Sequence, residues 1–125
     1  MDINEIYSTD SKFLRAEALP VNARVAVKIE GWSVETYKDG KKQIALQFEG
    51  KDKMLGLNIT NARTIEGLIG TPNTDNWINH TIRLYRTKVE MEGKQVDAIR
   101  VDPSYCIDAN GRSTIKEVTS DNIAF

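Results

Sequence analysis

Aromatic and basic side chains are interleaved along two stretches of the sequence, a pattern that suits contact with unpaired nucleic acid. In the first stretch, Trp32 and Tyr37 precede the lysines Lys38, Lys41 and Lys42. The second stretch, residues 81–91, and the segment that follows it contain the other candidates. These are Arg83, Tyr85, Arg86, Lys88, Lys94 and Arg100. Aromatic rings stack on exposed bases, worth about 1–3 kcal/mol per base, while cations follow the phosphates. These residue types predict a face that binds single-stranded DNA or RNA.

The three candidate rings differ in how well their positions favour stacking. Tyr85 alternates with apolar neighbours, so we expect it to face outward together with Arg83. Tyr37 lies at the shoulder of a predicted hairpin, which also favours exposure. Trp32 shares its parity with Val34, and the sequence leaves open whether it stacks on bases or belongs to the core. The hairpin lysines have an alternative role, since charged side chains keep turns soluble and sheet edges unpaired.

Small residues suggest a second feature of the binding face. Ala45 and Gly56 fall on the outward parity of the second and third predicted strands. We expect them to leave a low, flat patch that a base can approach. The negative charge of Glu49 repels phosphate nearby, so we expect a modest affinity for nucleic acid with a steep dependence on salt concentration.

The residues that catalysis and metal binding most often require are scarce. His80 is the only histidine and Cys106 the only cysteine, whereas a structural zinc site needs several such ligands. The sequence contains no phosphate-binding loop of the G-x-x-x-x-G-K-S/T type, no G-x-G-x-x-G and no G-x-S-x-G. We therefore expect neither an enzyme nor a bound cofactor.

Length and composition indicate one soluble globular domain, because 125 residues with 40% hydrophobic content suffice for one core. Residues 24–101 carry 13 Lys and Arg against 10 Asp and Glu, so a mildly basic middle lies between acidic flanks. No apolar run is long enough for a membrane helix, and the polar start does not resemble a signal peptide. A single cysteine fits a reducing compartment, so we expect a cytoplasmic protein.

Periodicity predicts five strands and one helix. The strands are expected at 24–37, 43–49, 54–59, 81–91 and 95–101, and the helix at 60–70. Gly31 is expected to bend the first strand, and a change of parity near Arg86–Thr87 predicts a bulge in the fourth. Thr60 or Asn61 is expected to cap the helix. Proline resists strand interiors, so Pro103 is expected to follow the last strand.

The order β-β-β-α-β-β predicts an all-β fold with one helix, namely an OB-fold five-stranded barrel. The nearest alternative is an SH3-like barrel, which normally lacks a helix at this place. The predicted organisation is an N-terminal extension packing on the barrel (1–23), the barrel itself (24–101) and a C-terminal tail (102–125). Phe48 and Trp77 are expected to be buried, Trp77 as a seal at the bottom of the barrel.

Three stretches, SKFLRAEALP, FEGKDKMLGLNITNARTI and DNWINHTIRLYRTKVEMEGKQVDAIRV, resemble a set of small phage and prophage proteins. The resemblance covers roughly residues 11–101 and implies a phage origin and one shared fold. Some phage proteins of this size are OB-fold single-stranded DNA-binding proteins. The resemblance therefore implies a non-catalytic protein that coats exposed strands during replication or recombination.

The last residues, SDNIAF, resemble the C-terminal tip of bacterial single-stranded DNA-binding proteins, which ends Asp-Asp-Ile-Pro-Phe. That resemblance implies that Ile123 and Phe125 bind a replication or recombination protein, although an apolar end can also pack on its own domain. An alternative function for the whole chain is a barrel that binds a host or phage protein. The sequence leaves open whether the chain forms a homo-oligomer.

Overall fold

The computed structural model describes residues 12–115, which form one five-stranded antiparallel sheet and one α-helix. The elements are β1 (Arg24–Thr36), β2 (Lys42–Phe48), β3 (Leu55–Gly56), α1 (Ile59–Ile69), β4 (Thr81–Met91) and β5 (Lys94–Ile107), with short 3-10 turns at Ala16–Ala18 and Thr74–Trp77. The predicted mostly-β fold, with its helix between the third and fourth strands, is confirmed. Within the described residues, no helix is long and apolar enough to cross a membrane.

The sheet does not close into the predicted barrel. Its strand order is β3-β2-β1-β4-β5, and its two edge strands do not pair with each other in the range 12–115. At the β5 edge, the Asn61 side chain of α1 replaces a strand: its amide donates to the Ile99 carbonyl at 2.9 Å and accepts from the Val101 N–H at 3.2 Å. At the β3 edge, Met54 bonds to the backbone of residues 12–14. Both edges are thus partly covered without meeting.

One apolar core fills the space between the sheet and α1. Its most buried members are Ile29, Leu46, Phe48, Ile65, Ile82 and Leu84, none more than 2% exposed. Trp77 is also buried, and its indole N–H donates to the Thr71 carbonyl at 2.8 Å, as expected of a ring that seals the core. Leu19 belongs to this core, so the described part of the predicted N-terminal extension packs on the sheet.

The bend predicted at Gly31 is confirmed, since the register between β1 and β2 shifts between Ile29 and Gly31. Before the shift, β1 contributes to the core. After it, Trp32 and Val34 lie opposite Leu46 and Ile44 of β2 but stay 36% and 50% exposed. The two halves of β1 therefore lie in different environments.

The predicted helix cap was wrong. Asn58 caps α1, and its side chain accepts the Asn61 N–H at 2.8 Å. The reason is that β3 ends at Gly56, earlier than the alternation of apolar residues predicts, so the helix begins at Ile59. Gly70 ends the helix as predicted, in the left-handed conformation (φ 91°) that glycine adopts without steric cost.

The bulge predicted near Arg86–Thr87 was also wrong. Pairing between β4 and β5 is continuous from Leu84 to Met91, and the register shifts instead between Ile82 and Leu84. Along β4 the apolar residues change from one face of the strand to the other, because the end of the β4–β5 hairpin extends beyond the core. Val89 therefore packs opposite its cross-strand partner Val96 rather than into the interior.

Strand β5 continues through the predicted boundary at Pro103 to Ile107. Residues 102–105 bulge opposite the single residue Arg83, between the pairs Leu84–Val101 and Ile82–Cys106. Inside such a bulge, proline's missing N–H removes no ladder hydrogen bond. Part of the predicted tail is thus an integral strand of the sheet.

Candidate nucleic-acid interface

Arginine and tyrosine side chains meet on the outer face of the three strands β1, β4 and β5. Arg24, Tyr85 and Arg100 lie side by side in one row across these strands, since Tyr85 pairs with Arg24 on one side and Arg100 on the other. Arg83 lies in the next row, opposite Ala26. Leu84 and Val101 belong to the core and Ile99 packs against it, so their chain neighbours Tyr85 and Arg100 face outward.

Each of two arginines stacks on a tyrosine ring. The guanidinium carbon of Arg24 lies 4.5 Å from the centroid of the Tyr85 ring. The guanidinium carbon of Arg83 lies 4.3 Å from the centroid of the Tyr105 ring, which is supplied by the bulged part of β5. Both distances are within the range of cation–π attraction. We call the set Arg24, Arg83, Tyr85, Arg100 and Tyr105 the arginine–tyrosine face.

A buried carboxylate lies beneath this face. Asp102 is 1% exposed, and its Oδ2 lies 3.0 Å from Nε of Arg24 and 3.1 Å from Nη2 of Arg83. Its Oδ1 accepts hydrogen bonds from the backbone N–H and the hydroxyl of Ser104, at 2.9 and 2.6 Å. The Oδ2 contacts are ion pairs whose angles depart from hydrogen-bond geometry. Asp102 therefore joins two strands and two arginines.

The charge state of Asp102 follows from competing effects. Burial alone would raise the pKa of its carboxyl group, because a charge is poorly solvated in the interior. The hydrogen bonds from Ser104 and the charges of Arg24 and Arg83 act in the opposite direction and prevail, so the pKa lies below its ordinary value. The carboxylate is ionised at neutral pH, and the three arginines leave the face with an excess of positive charge.

Some guanidinium donors on this face have no hydrogen-bond acceptor in the part of the chain that the structure describes. The Nε of Arg83 and the Nη1 of Arg100 are buried and have no acceptor among residues 12–115. Buried donors are normally paired, so an unpaired one calls for an explanation. A groove of about 700 Å³ borders Arg83 and is lined by Asn22, Ala23, Arg24, Arg83, Tyr85 and Arg86. An anionic ligand in this groove would find several donors within reach.

Two of the predicted cations do not share this face. Arg86 and Lys88 follow the parity of Leu84 and point to the opposite side of the sheet. Both bind the carboxylate of Asp97, at 2.7 Å for Arg86 and 3.2 Å for Lys88, which lowers the pKa of Asp97. Arg86 still borders the groove. Arg86 and Lys88 therefore lie apart from Arg83 and Tyr85, because alternate residues of a strand face opposite sides, and their predicted contact with phosphate stays a prediction.

The remaining predicted residues lie at the two hairpins. Lys94 begins β5 opposite Met91 and is exposed on the outer side. Tyr37, Lys38, Lys41 and Lys42 lie at the β1–β2 hairpin, at the far end of β1 from Arg24, and all are exposed. The Tyr37 hydroxyl bonds to Gln43, and the Trp32 indole N–H donates to Asp75 at 2.9 Å. The structure thus distributes the predicted residues between the arginine–tyrosine face, the opposite side of β4 and the two hairpins.

The flat patch predicted at Ala45 and Gly56 is not open. Ala45 is fully buried although it lies on the outer parity. The Gln43 side chain lies across Gly56 and donates to the Leu57 carbonyl at 3.1 Å, and its Oε1 is 2.8 Å from where a Cβ of Gly56 would be. Long polar side chains cover the small residues here, so no base reaches the backbone without displacing Gln43.

Sequence reasoning missed three residues at the candidate interface: Arg24, Asp102 and Tyr105. The alternation of Arg24 with Val25 was a usable signal for an outward arginine. Asp102 and Tyr105 were missed because Pro103 was interpreted as the end of the last strand. The predicted partner-binding residues Ile123 and Phe125 lie outside the described residues.

Other kinds of site find little support. Among residues 12–115, no cluster of three or more His, Cys, Asp or Glu side chains could hold a metal ion. Cys106 is buried, and burial raises the pKa of its thiol. In comparisons with known proteins, no family model matches this sequence, and neither a curated protein nor a solved structure gives a significant match.

Proposed function

We propose that this protein binds single-stranded DNA across the arginine–tyrosine face, as a non-catalytic protein of phage origin that coats exposed strands in replication or recombination. One observation carries the proposal. Three arginines and two tyrosines alternate on one side of β1, β4 and β5, with two guanidinium groups already stacked on rings. Ring faces beside cations are the two components that sequence-independent strand binding requires.

Each component has a distinct role in the proposed complex. Arg24, Arg83 and Arg100 bind phosphate oxygens, since a planar guanidinium suits the paired oxygens of a phosphate. The half-buried rings of Tyr85 and Tyr105 offer bases the ring faces that Arg24 and Arg83 do not cover. Because phosphate contacts release counterions, the affinity falls steeply as the salt concentration rises.

We further propose that the fold is an OB-type barrel left open along one seam. The order β3-β2-β1-β4-β5 needs only a pairing between its two edges to close, and the OB-fold is a partly open barrel. Leu55 and Gly56 of β3 and Ala98 and Ile99 of β5 line one pocket between these edges, together with Asn61. Residues of both edges therefore border the same pocket.

A titration of the whole chain with a fluorescent dT oligomer at low salt tests the function. We expect the anisotropy to rise at micromolar protein, with weaker binding to a duplex of the same length. An RNA oligomer in parallel establishes the preferred strand. Absence of binding at tens of micromolar protein would refute the proposal.

The alternative function is binding to a host or phage protein. It is favoured by the exposed apolar side chains Trp32, Val34 and Ile59, the last of which is 68% exposed and borders a groove beside α1 with Ile44. This alternative predicts no salt-dependent binding of oligonucleotides, so the same titration separates the two functions.

A further inference from the structure

We propose that Asp102 is a positioning residue for phosphate binding: it holds Arg24 and Arg83 in place, although its own negative charge repels phosphate. The inference rests on the proposed function and concerns the same face. It predicts a result opposite to that of simple electrostatics, in which removal of an acidic group near a phosphate always strengthens binding.

The contacts of Asp102 leave both terminal nitrogens of Arg24 and one terminal nitrogen of Arg83 available. Arg24 meets the carboxylate through Nε, the nitrogen nearest its stem, and no residue in the range 12–115 accepts a hydrogen bond from its two terminal nitrogens. Arg83 meets it through one terminal nitrogen, Nη2. The side chains of Arg24 and Arg83 remain 48% and 33% exposed, so ligand atoms reach them.

Asp102 is itself held in one orientation. Both donors of Ser104 fix its Oδ1, so that Oδ2 faces the arginines. Each arginine is further confined by a ring, Tyr85 for Arg24 and Tyr105 for Arg83. Long side chains lose rotamer freedom when they bind a ligand, and this loss is reduced when the protein has already ordered them. The carboxylate thus increases the affinity for phosphate by ordering the two arginine side chains, not by its own charge.

The test is the substitution Asp102→Asn in the whole chain, measured by dT-oligomer anisotropy over a series of salt concentrations. Asparagine keeps the size, but it cannot bind Ser104 with its oxygen without turning its amide N–H groups toward the two guanidinium groups. We expect affinity at low salt to fall about tenfold. We also expect the slope of log K against log salt to become shallower by about 0.7 for each phosphate that the variant no longer binds.

Asp97→Asn is the matched control. It removes the same charge from a carboxylate that also binds two cations, Arg86 and Lys88, but on the other side of the sheet. We expect this variant to bind the oligomer as tightly as the wild type or more tightly. A purely electrostatic role for Asp102 predicts that both variants gain affinity, and that result would overturn the inference.

Ser104→Ala covers the case in which Asp102→Asn does not fold. It keeps the carboxylate and its charge but removes the 2.6 Å hydrogen bond that orients it. We expect a loss of about threefold in affinity, with an unchanged circular dichroism spectrum. Unchanged affinity in a folded Ser104→Ala, together with folded Asp102→Asn binding no more weakly than wild type, contradicts positioning. If the wild type itself does not bind, the proposed function fails instead.

Discussion

The two ends of β1 carry similar kinds of side chain in very different settings. At its start, Arg24 stacks on Tyr85 and pairs with a buried carboxylate. Beyond its end, Tyr37 is 44% exposed beside lysines whose nearest carboxylate, on Asp39, is 4.0 Å from Lys41. The first setting confines its side chains with rings and a buried carboxylate before any ligand arrives, whereas the contacts of the second, such as the Tyr37–Gln43 hydrogen bond, lie on an exposed hairpin.

This difference shows why residue type alone does not define a binding site. A lysine on an exposed turn attracts phosphate over a distance, but most of that attraction is screened at physiological salt. An arginine held by a ring and a carboxylate has already lost its rotamer freedom. We therefore expect the arginine–tyrosine face to supply the specific contacts and the β1–β2 hairpin to supply a weaker, general attraction.

The largest expected difference between the two ends of β1 is in the free energy of unfolding, when an aspartate near each end is replaced by asparagine. Asp102→Asn leaves two guanidinium groups without their buried partner, so we expect the free energy of unfolding to fall by about 2–3 kcal/mol. Asp39→Asn alters an exposed turn in which the carboxylate accepts the Lys41 N–H, and we expect a loss below about 1 kcal/mol. Urea denaturation of both variants measures the difference, and equal losses would contradict the contrast.

The pH dependence of stability gives a second test. Because the Ser104 hydrogen bonds and the charges of Arg24 and Arg83 lower the pKa of Asp102 in the folded state, these contacts add stability above the unfolded carboxyl pKa of about 3.9. That contribution is lost as the pH falls through the lower, folded pKa. We expect wild-type stability to decline with acidification below about pH 4, and the decline to be smaller in Asp102→Asn. Identical acid profiles would show that Asp102 does not carry this linkage.

Removal of a tyrosine ring near each end of β1 compares how much the two ends contribute to DNA binding. Tyr85→Ala removes a base-stacking surface and the support of Arg24, so we expect about a tenfold loss of affinity for a dT oligomer. Tyr37→Ala removes an exposed ring at the hairpin, and we expect less than about a twofold loss. Tyr85→Phe keeps the ring and is expected to bind like the wild type. A larger effect at Tyr37 would move the site to the hairpin.

Charge removal at the hairpin is expected to have a smaller, salt-dependent effect. The triple variant Lys38→Ala, Lys41→Ala, Lys42→Ala should bind about threefold more weakly at low salt, and the difference should shrink near physiological salt. Anisotropy titrations at two salt concentrations measure this. A deficit that persists at high salt would indicate direct contacts from these lysines.

The smallest expected effect is spectroscopic. Trp77 is buried and Trp32 is 36% exposed, so acrylamide should quench mainly Trp32, and the quenching should be lost in Trp32→Phe. Because Trp32 lies beyond the bend from Arg24, we expect little change in tryptophan fluorescence when DNA binds. Strong quenching by DNA in the wild type that disappears in Trp32→Phe would place the hairpin within the interface.

Much of the fold was predictable because local patterns determine it. Alternation identified the strands, the Gly31 bend and the helix between the third and fourth strands followed from short-range signals, and Trp77 was correctly assigned to the core. The helix cap and the bulge were misplaced, because each depends on where a neighbouring strand stops pairing. Closure of the sheet could not be predicted, since Asn61 occupies the β5 edge from a distant part of the chain.

The sequence by itself determined which residues can alternate on a strand, so Arg83 and Tyr85 were recognisable as outward neighbours. Only the tertiary structure decided that Arg24, Asp102 and Tyr105 join them, because strand register brings together residues far apart in the chain. It also decided that Arg86 and Lys88 face the other way, bound to Asp97. The physical reason is that side-chain parity is a local property, whereas the partner of each charge depends on how strands pair across the sheet.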